Sequence, residues 1–272
     1  MKKFLVFLFC GLMSVAGCNQ NLKPEDNNVC PTSIASGTAG PLKWVLCEDG
    51  MLTISGKGVM PDYRTVSTDK PWAAMPWYDR SDKITSVIIG NDVINIGYEA
   101  FFNCKNLTKA VIGNSVDSIG NAAFGSCSNL TSIDIPSSVT KIGAGAFAET
   151  GLTSVTIPNS ITFIADLAFA DCSSLTSISI SNSVDSIAAQ AFRCINLKEI
   201  VNYRKTPQIL NMGQYPGGGP HHPGGGSLDP FNRVDKANCI LFVPAESIDA
   251  YRAAEGWKDF EKIKAIPPMS GI

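Results

Sequence analysis

Residues 130–151, LTSIDIPSSVTKIGAGAFAETG, and residues 152–174, LTSVTIPNSITFIADLAFADCSS, are two copies of one pattern that decides the fold. Further copies begin at residues 84, 107 and 175, and a partial sixth copy begins at Leu197, so the spacing is 22 or 23 residues. Self-similarity at a fixed period of this length is the mark of a solenoid, in which one structural unit stacks on the next.

The six repeats, numbered in chain order, carry the same residue types at the same offsets from their first residue. Offset three is apolar, offset nine is β-branched, offset twelve is Ile, and Gly, Pro or Ser stands at offset six in the five full repeats. Offsets sixteen and seventeen are Ala-Phe in all five full repeats. The isoleucines at offset five are Ile89, Ile112, Ile135, Ile157 and Ile180, and the phenylalanines are Phe101, Phe124, Phe147, Phe169 and Phe192.

This pattern predicts the conformation of each repeat. The alternation from offset three to offset five predicts a short strand with one buried face, which Gly, Pro or Ser then ends. The stretch up to offset twelve predicts a second extended segment, and the Ala-Phe pair predicts one turn of helix that inserts Phe into the core. Because one repeat cannot bury its own apolar residues, we expect the repeats to stack in a parallel sheet at about 4.8 Å per step.

The motif Leu-Thr-Ser-Ile-x-Ile-Pro-x-Ser-Val-x-x-Ile-x-x-x-Ala-Phe resembles the BspA-like class of leucine-rich repeats over residues 84–200. The resemblance implies a right-handed leucine-rich-repeat superhelix of short parallel strands, with a β-hairpin N-terminal cap and a strand-helix C-terminal cap. Proteins of this class are often surface lipoproteins of anaerobic gut and mouth bacteria, and several are described as adhesins or host-protein binders.

Both ends of a solenoid need caps, because a terminal apolar face would otherwise be exposed. Residues 30–83 are expected to form the N-terminal cap, with a hairpin whose turn contains Asp49-Gly50. Trp72 and Trp77 are interpreted as apolar plugs over the first repeat; stacking against a carbohydrate is the alternative. Cys30 and Cys47 flank this cap, and an oxidising exterior would permit a disulfide between them.

Residues 201–272 are expected to form the C-terminal cap. Residues 240–244 predict a strand, Ser247 is a candidate N-cap, and apolar residues at helical spacing run from Ile248 towards Ile263. The Gly- and Pro-rich residues 211–230 are expected to form a disordered loop. His221 and His222 lie in this loop without a third ligand nearby, so no metal site is predicted.

The N-terminus has the features of an export signal. Residues 1–17 contain a lysine pair and an apolar run over residues 4–15, which is shorter than the roughly 20 residues of a membrane-spanning helix. Val15-Ala16-Gly17-Cys18 resembles a lipobox and predicts lipidation of Cys18; an ordinary secretory signal is the alternative. Residues 18–29 are expected to be a flexible tether, so the membrane would be reached through the lipid alone. The predicted location is the bacterial outer membrane, with the domain at the cell surface.

Composition narrows the function further. The formal net charge of −2 lacks the basic excess that binding to nucleic acid requires. The only two histidines lie in the predicted loop, so no Ser-His-Asp arrangement can form, and no phosphate loop or dinucleotide motif is present. Cys104, Cys127, Cys172 and Cys194 follow the repeat phenylalanines and are interpreted as small buried side chains. We therefore predict a monomeric protein that is not an enzyme and that uses no cofactor.

The predicted sheet presents a broad face at the offsets that flank offset three. Its candidate binding residues are small or polar: Lys109, Ser132, Asp134, Ser154, Thr156, Ser177, Ser179 and Glu199. Few aromatic residues lie here, which predicts weak or multivalent contact. Two hypotheses follow: an adhesion module for a host or bacterial surface protein that uses this face, or a glycan-binding lipoprotein for carbohydrate uptake. The second requires Trp72 or Trp77 to face solvent.

Overall fold

The computed structural model describes residue 30 and residues 32–63, 75–211 and 228–268. Over these residues the chain forms a parallel β-solenoid of about seven turns, as the repeat predicts. The strands before the repeats are β1 (Ser33–Ala39), β2 (Leu42–Cys47), β3 (Met51–Ser55) and β4 (Gly58–Val59). Those of the repeats are β5 (Ser86–Ile89), β6 (Val93–Ile96), β7 (Lys109–Val111), β8 (Ser118–Ile119), β9 (Lys141–Ile142), β10 (Ser154–Ile157), β11 (Phe163–Ile164), β12 (Ser177–Ile180), β13 (Ser186–Ile187), β14 (Glu199–Asn202) and β15 (Ile209–Leu210).

The C-terminal elements are strand β16 (Ile240–Val243), helix α1 (Ile248–Ala253) and strand β17 (Lys262–Ala265). A short 3-10 helix, Tyr78–Lys83, precedes the first repeat, and a second one, Ala245–Ser247, precedes α1.

The strands of successive coils pair in register, so that equal offsets lie side by side. The first strands of the repeats, together with strands of the two caps, form the orders β1-β2-β3-β5-β7 and β10-β12-β14-β16-β17, and the third repeat contributes none. The second strands form the orders β4-β6-β8-β9 and β11-β13-β15. Ile157, for example, is paired with Ile180, and Ile119 with Ile142.

The columns predicted for the core are present. The five isoleucines at offset five are at most 8% exposed, and the five repeat phenylalanines are fully buried. Neighbouring phenylalanine rings are 5.1–5.5 Å apart between centroids and nearly parallel, so the core is continuous through all five full repeats.

The Ala-Phe segments differ from the single helical turns that we expected. In the second repeat, Ala122 and Ser126 have φ angles of 50° and 59°, in the left-handed region. The N–H groups of Ala122, Phe124 and Ser126 donate to carbonyl groups of the third repeat at 2.8–2.9 Å. A helix would direct these N–H groups into its own preceding turn, whereas the alternating conformation directs them to the next coil. The segment therefore forms a third ladder between repeats.

The sheet of first strands opens at the third repeat, where a strand was expected. Residues 131–136 have no strand structure, so this sheet ends at β7 and resumes at β10. Asp134 stands where β7 has Val111 and β10 has Thr156, and Asp is depleted in strands while Val and Thr are enriched. The core beneath remains stacked, because Phe147 lies 5.5 Å from Phe124 and 5.3 Å from Phe169.

The N-terminal cap is a meander that pairs with the repeat sheet. Strands β1, β2 and β3 are antiparallel, and β3 is parallel to β5. A disulfide joins Cys30 to Cys47, whose Cα atoms are 5.6 Å apart. Trp77 is fully buried, stacks on Phe101 at 5.6 Å and donates its indole N–H to the carbonyl of Ala100 at 2.8 Å. It thus covers the first ring of the phenylalanine column.

The C-terminal cap contains the expected strand and helix, but the helix is shorter than the apolar spacing indicated. Helix α1 ends at Ala253, and Ile263 lies in β17, which pairs in parallel with β16. Ser247 occupies the N-cap position, yet its side chain makes no capping hydrogen bond. Phe231, Trp257 and Phe260 close the ring column after Phe192. The Gly/Pro segment falls mostly on residues 212–227, which lie outside the described residues.

Replacing Ile142 by Asp tests the columns. Ile142 is 2% exposed and pairs with Ile119, so Ile142→Asp buries a charge without a partner and should cost roughly 4 kcal/mol or more. Lys141→Asp changes the exposed neighbour in the same strand and is the control. Thermal unfolding followed by circular dichroism measures both, and equal midpoints for Ile142→Asp and the unmodified protein would contradict the packing.

Candidate functional site

The sheet face, defined as the outward side chains at offsets two and four, collects the predicted binding residues on one surface. The pairing register places Ser154, Ser177 and Glu199 in one row, and Thr156 beside Ser179 in the next. Ser154, Thr156 and Glu199 are exposed, and the two serines of the fifth repeat are half-buried. Lys109, Ser132 and Asp134 lie on the same face in the second and third repeats, because they occupy the same offsets.

The N-terminal end of the sheet face is covered. Ile88, at an outward offset, is only 3% exposed, because it packs with Cys47 and Met51 in a small cluster separate from the main core. Cys30 and Val111 pack against this cluster, so the disulfide joins a member of the cluster, Cys47, to a residue at its border, Cys30. The accessible part of the face therefore begins at the second repeat.

The opening at the third repeat forms a depression in the sheet face. Its volume is about 590 Å³, and it lies between β7 and the unpaired residues of the third repeat. Ile133, expected in the core at offset three, is only half-buried here. The lining residues are Lys109, Ala110, Val111, Ile112, Asn114, Ser132, Ile133, Asp134, Ile135 and Pro136. Three of the predicted binding residues, Lys109, Ser132 and Asp134, thus share one site.

The backbone of this depression lacks the ladder that joins the other first strands. Residues 132–135 pair with neither β7 nor β10; the nearest link is the N–H of Thr153, which donates to the carbonyl of Thr131 at 3.2 Å. Polar backbone groups without a protein partner must bond to water or to a ligand. An unpaired strand edge is also a template for another chain. The depression therefore offers backbone hydrogen-bonding groups, one lysine and one carboxylate to a partner.

Trp77, for which carbohydrate stacking was the alternative to a capping role, offers no surface to a sugar. Trp77 is fully buried between Trp44, Tyr63 and Phe101, so that part of the glycan hypothesis is wrong. Burial is favoured because its rings close the apolar column and its indole N–H finds a carbonyl acceptor. Trp72 lies outside the described residues.

The repeat cysteines are buried thiols, as their column predicts. Cys127, Cys172 and Cys194 each donate to the carbonyl of a phenylalanine in the preceding repeat at 3.1 Å. Burial raises the pKa of Cys104 to about 12, and it raises the pKa of Cys127 as well. Both thiols are therefore protonated at neutral pH and are poor nucleophiles.

An exposed aromatic residue that the sequence analysis did not single out also lies near the sheet face. Tyr203 follows β14 at offset six, where the preceding repeats have Pro158 and Ser181, and it is 49% exposed. Its departure from the Gly, Pro or Ser of the other repeats was the signal that could have identified it.

The repeat region is similar to known bacterial proteins. Residues 94–212 match the BspA type leucine rich repeat region in six copies. No curated protein matches the chain. A leucine-rich repeat protein from Eubacterium ventriosum is 33% identical in a crystal structure with a TM-score of 0.53; the match covers 62% of this chain and 44% of that one. This chain thus spans less than half of that relative's length.

A second solved structure is more distant. A leucine rich cell surface protein from Faecalibacterium prausnitzii is 24% identical, with a TM-score of 0.44 and coverage of 79% of this chain and 72% of that one.

Amide hydrogen exchange tests the opening in the sheet. Ile133 and Ile135 occupy the same offsets as Ile178 and Ile180, which lie in β12 with paired strands on both sides. Without a ladder, the amides of Ile133 and Ile135 should exchange at least about tenfold faster than those of Ile178 and Ile180. Residue-resolved exchange by NMR makes this comparison within one molecule, and equal protection at the two sites would show that the sheet is closed.

Proposed function

Because the repeat region of this chain belongs to the BspA type of leucine-rich repeats, we propose that the protein binds a host or bacterial surface protein through its sheet face. Leucine-rich-repeat solenoids are typically non-catalytic scaffolds that serve in protein interaction or as surface modules. The depression at the third repeat is the observation that carries this proposal, because it combines open backbone groups with charged side chains.

The chemistry of the depression favours an extended segment of the partner. Such a segment can donate hydrogen bonds to the backbone of residues 132–135 and accept hydrogen bonds from it, as an added strand does at a sheet edge. Lys109 and Asp134 then select charged side chains of the segment, while half-buried Ile133 gives it apolar contact. Backbone pairing supplies affinity, and the side chains supply the choice of partner.

The remainder of the sheet face extends the contact without strong anchors. Ser154, Thr156 and Glu199 are exposed and continue the face for three more coils. Tight protein interfaces usually depend on buried aromatic residues and Arg, which these positions lack. We therefore expect a weak interaction per molecule, made strong by many copies on one cell surface.

Charge reversal in the depression tests the binding mode. A displayed library of random peptides is selected on the full chain, and recovered peptides are measured against Lys109→Glu and Asp134→Lys. Either reversal should remove an ion pair between the peptide and the rim of the depression, which should weaken binding by about five- to tenfold or more. Peptides selected anew on a variant should carry a charge opposite to that of the peptides selected on the unmodified chain. Fluorescence anisotropy of labelled peptides measures the dissociation constants.

Lys141→Glu is the matched control, because Lys141 is an exposed lysine of the third repeat on the second strand, away from the sheet face. It should leave the dissociation constants unchanged. Peptides that bind equally well to all three variants, or a library that yields no binder, would contradict the proposal.

We also propose that the protein is exported and held in the outer membrane by a lipid on Cys18, facing the outside of the cell. The basic start, the apolar run and the Val15-Ala16-Gly17-Cys18 motif support lipidation, although they lie outside the described residues. The Cys30–Cys47 disulfide is compatible with an oxidising compartment. Within the part of the chain that the structure describes, no helix is long and apolar enough to cross a bilayer.

Metabolic labelling with an alkyne fatty acid tests the anchor. The unmodified chain should incorporate the label and partition into detergent, because stable attachment requires more than one acyl chain. Cys18→Ala should abolish labelling, whereas Cys10→Ala, within the apolar run, should retain it. Labelling that survives in Cys18→Ala would assign the lipid to another residue, and an unmodified chain that takes up no label would favour an ordinary secretory signal. Protease treatment of intact cells then reports whether the domain faces outward.

A further inference from the structure

A second depression lies at the C-terminal end of the sheet face, where the first strands of the fourth and fifth repeats end. Its volume is about 370 Å³. We call it the Tyr203 shelf, and it is lined by Thr156, Ile157, Pro158, Asn159, Ser179, Ser181, Asn182 and Tyr203. Its lining begins at β10 and that of the opening at the third repeat ends at Pro136, so the two sites share no lining residue.

Tyr203 forms one wall of the shelf. The N–H of Tyr203 donates to the carbonyl of Ile180 at 3.0 Å, which holds its backbone against the preceding coil. At the same offset the two preceding repeats have Pro158 and Ser181, so the floor beside the ring is low and the ring stands above it. With about half of its surface exposed, the ring is available to a ligand without any rearrangement of the core.

The floor of the shelf carries hydrogen-bonding side chains in two rows. Thr156 and Ser179 are register partners on neighbouring strands, which lie about 4.8 Å apart. Asn159 and Asn182 share offset seven one coil apart, and both are exposed. Among the described residues, no side-chain hydrogen bond occupies these four groups, so two hydroxyls and two amides face solvent.

The shelf has no net charge. No Asp, Glu, His, Lys or Arg lines it. Arg204, next to Tyr203, is paired with Asp185 at 2.8 Å and donates to the carbonyl of Asn182 at 3.2 Å. Both contacts use Nη1, and the Nε of Arg204 is buried without a hydrogen-bond partner. The ion pair with Asp185 offsets the positive charge beside the shelf.

We propose that the Tyr203 shelf binds a neutral glycan, with one sugar ring packed against the tyrosine. A sugar presents C–H groups on one face, which pack on an aromatic ring, and hydroxyl groups around its rim. Those hydroxyls require both donors and acceptors, which the amides of Asn159 and Asn182 and the hydroxyls of Thr156 and Ser179 provide. The spacing of these groups, about 4.8 Å from coil to coil, suits hydroxyls on successive sugar units of a glycan that lies along the solenoid axis.

A peptide is a poorer fit to this shelf than to the opening at the third repeat. Strands β12 and β14 are paired on both sides here, so their backbone groups are already hydrogen-bonded and cannot extend a ladder to a new strand. The unpaired edge of β10 faces the third repeat instead of the shelf. The shelf also has no charged side chain to select a charged segment. The inference is therefore separate from the proposed protein binding and can fail without it.

A glycan array with the full chain tests the proposal. The array holds neutral glucans, mannans and galactans beside sialylated and sulfated glycans, and isothermal titration then measures the dissociation constants of the oligosaccharides that bind. We expect binding to neutral members. Tyr203→Ala should weaken it at least about tenfold, because the stacking surface is removed, while Tyr203→Phe should stay within about threefold. Asn182→Ala should weaken binding as well.

Phe163→Ala is the matched control. Phe163 lies on β11, away from the shelf, and is 45% exposed, so the substitution removes a ring of similar exposure to that of Tyr203. It should bind glycans as the unmodified chain does, and so should Lys109→Glu, which tests the other site. Thermal unfolding shows whether Tyr203→Ala is folded. The proposal is overturned if only charged glycans bind, if no neutral glycan binds at millimolar concentration, or if folded Tyr203→Ala binds normally.

Discussion

The stacking of one aromatic ring per coil is the constraint from which the rest of the molecule follows. From Trp77 through the five repeat phenylalanines to Phe231, adjacent ring centroids are 5.1–5.8 Å apart, with interplanar angles of 3–20°. This spacing is close to the roughly 4.8 Å between hydrogen-bonded strands, so rings and strands can stack together. Each coil must therefore return its chain to the same register after 22 or 23 residues. The left-handed residues around each Phe belong to this constraint, because they turn backbone N–H groups towards the next coil.

The caps end the ring column by changing its geometry. At the N-terminal end, Trp44 and Tyr63 meet Trp77 edge-on, and at the C-terminal end Phe260 meets Phe231 edge-on. A ring covered by edges offers no parallel face on which a further coil could stack. The indole N–H groups of Trp77 and Trp257 donate to carbonyls of Ala100 and Gln208, so these large plugs leave no buried donor unpaired. The caps thus close the apolar column at both ends, while the indole N–H of Trp44 and the hydroxyl of Tyr63 in the N-terminal cap are buried without a hydrogen-bond partner.

Both proposed binding sites lie where one repeat has a residue that differs from the pattern of the other repeats. Asp134 replaces a strand-compatible residue, and the sheet opens there, while the core below keeps its spacing. Tyr203 replaces the usual Gly, Pro or Ser and raises a ring above a polar floor. Asp134 lies at the outward offset four and Tyr203 at offset six, and neither side chain belongs to the ring column. The ring column stays intact beneath both substitutions.

The periodic sequence alone was sufficient to predict the solenoid, its Ile and Phe columns and the elements at its two ends, because inward offsets repeat the same residue types in every coil. It did not predict the conformation of the Ala-Phe turn, the end of α1 at Ala253 or the opening at residues 132–135. Each of these depends on hydrogen bonds or contacts with a neighbouring coil or cap, so no single segment encodes it. Tyr203 was visible in the sequence as an exception to offset six, but its neighbours Thr156, Asn159 and Asn182 come from two earlier coils. Only stacking brings residues some 20 and 45 positions apart to one surface, and a binding site is made of such neighbours.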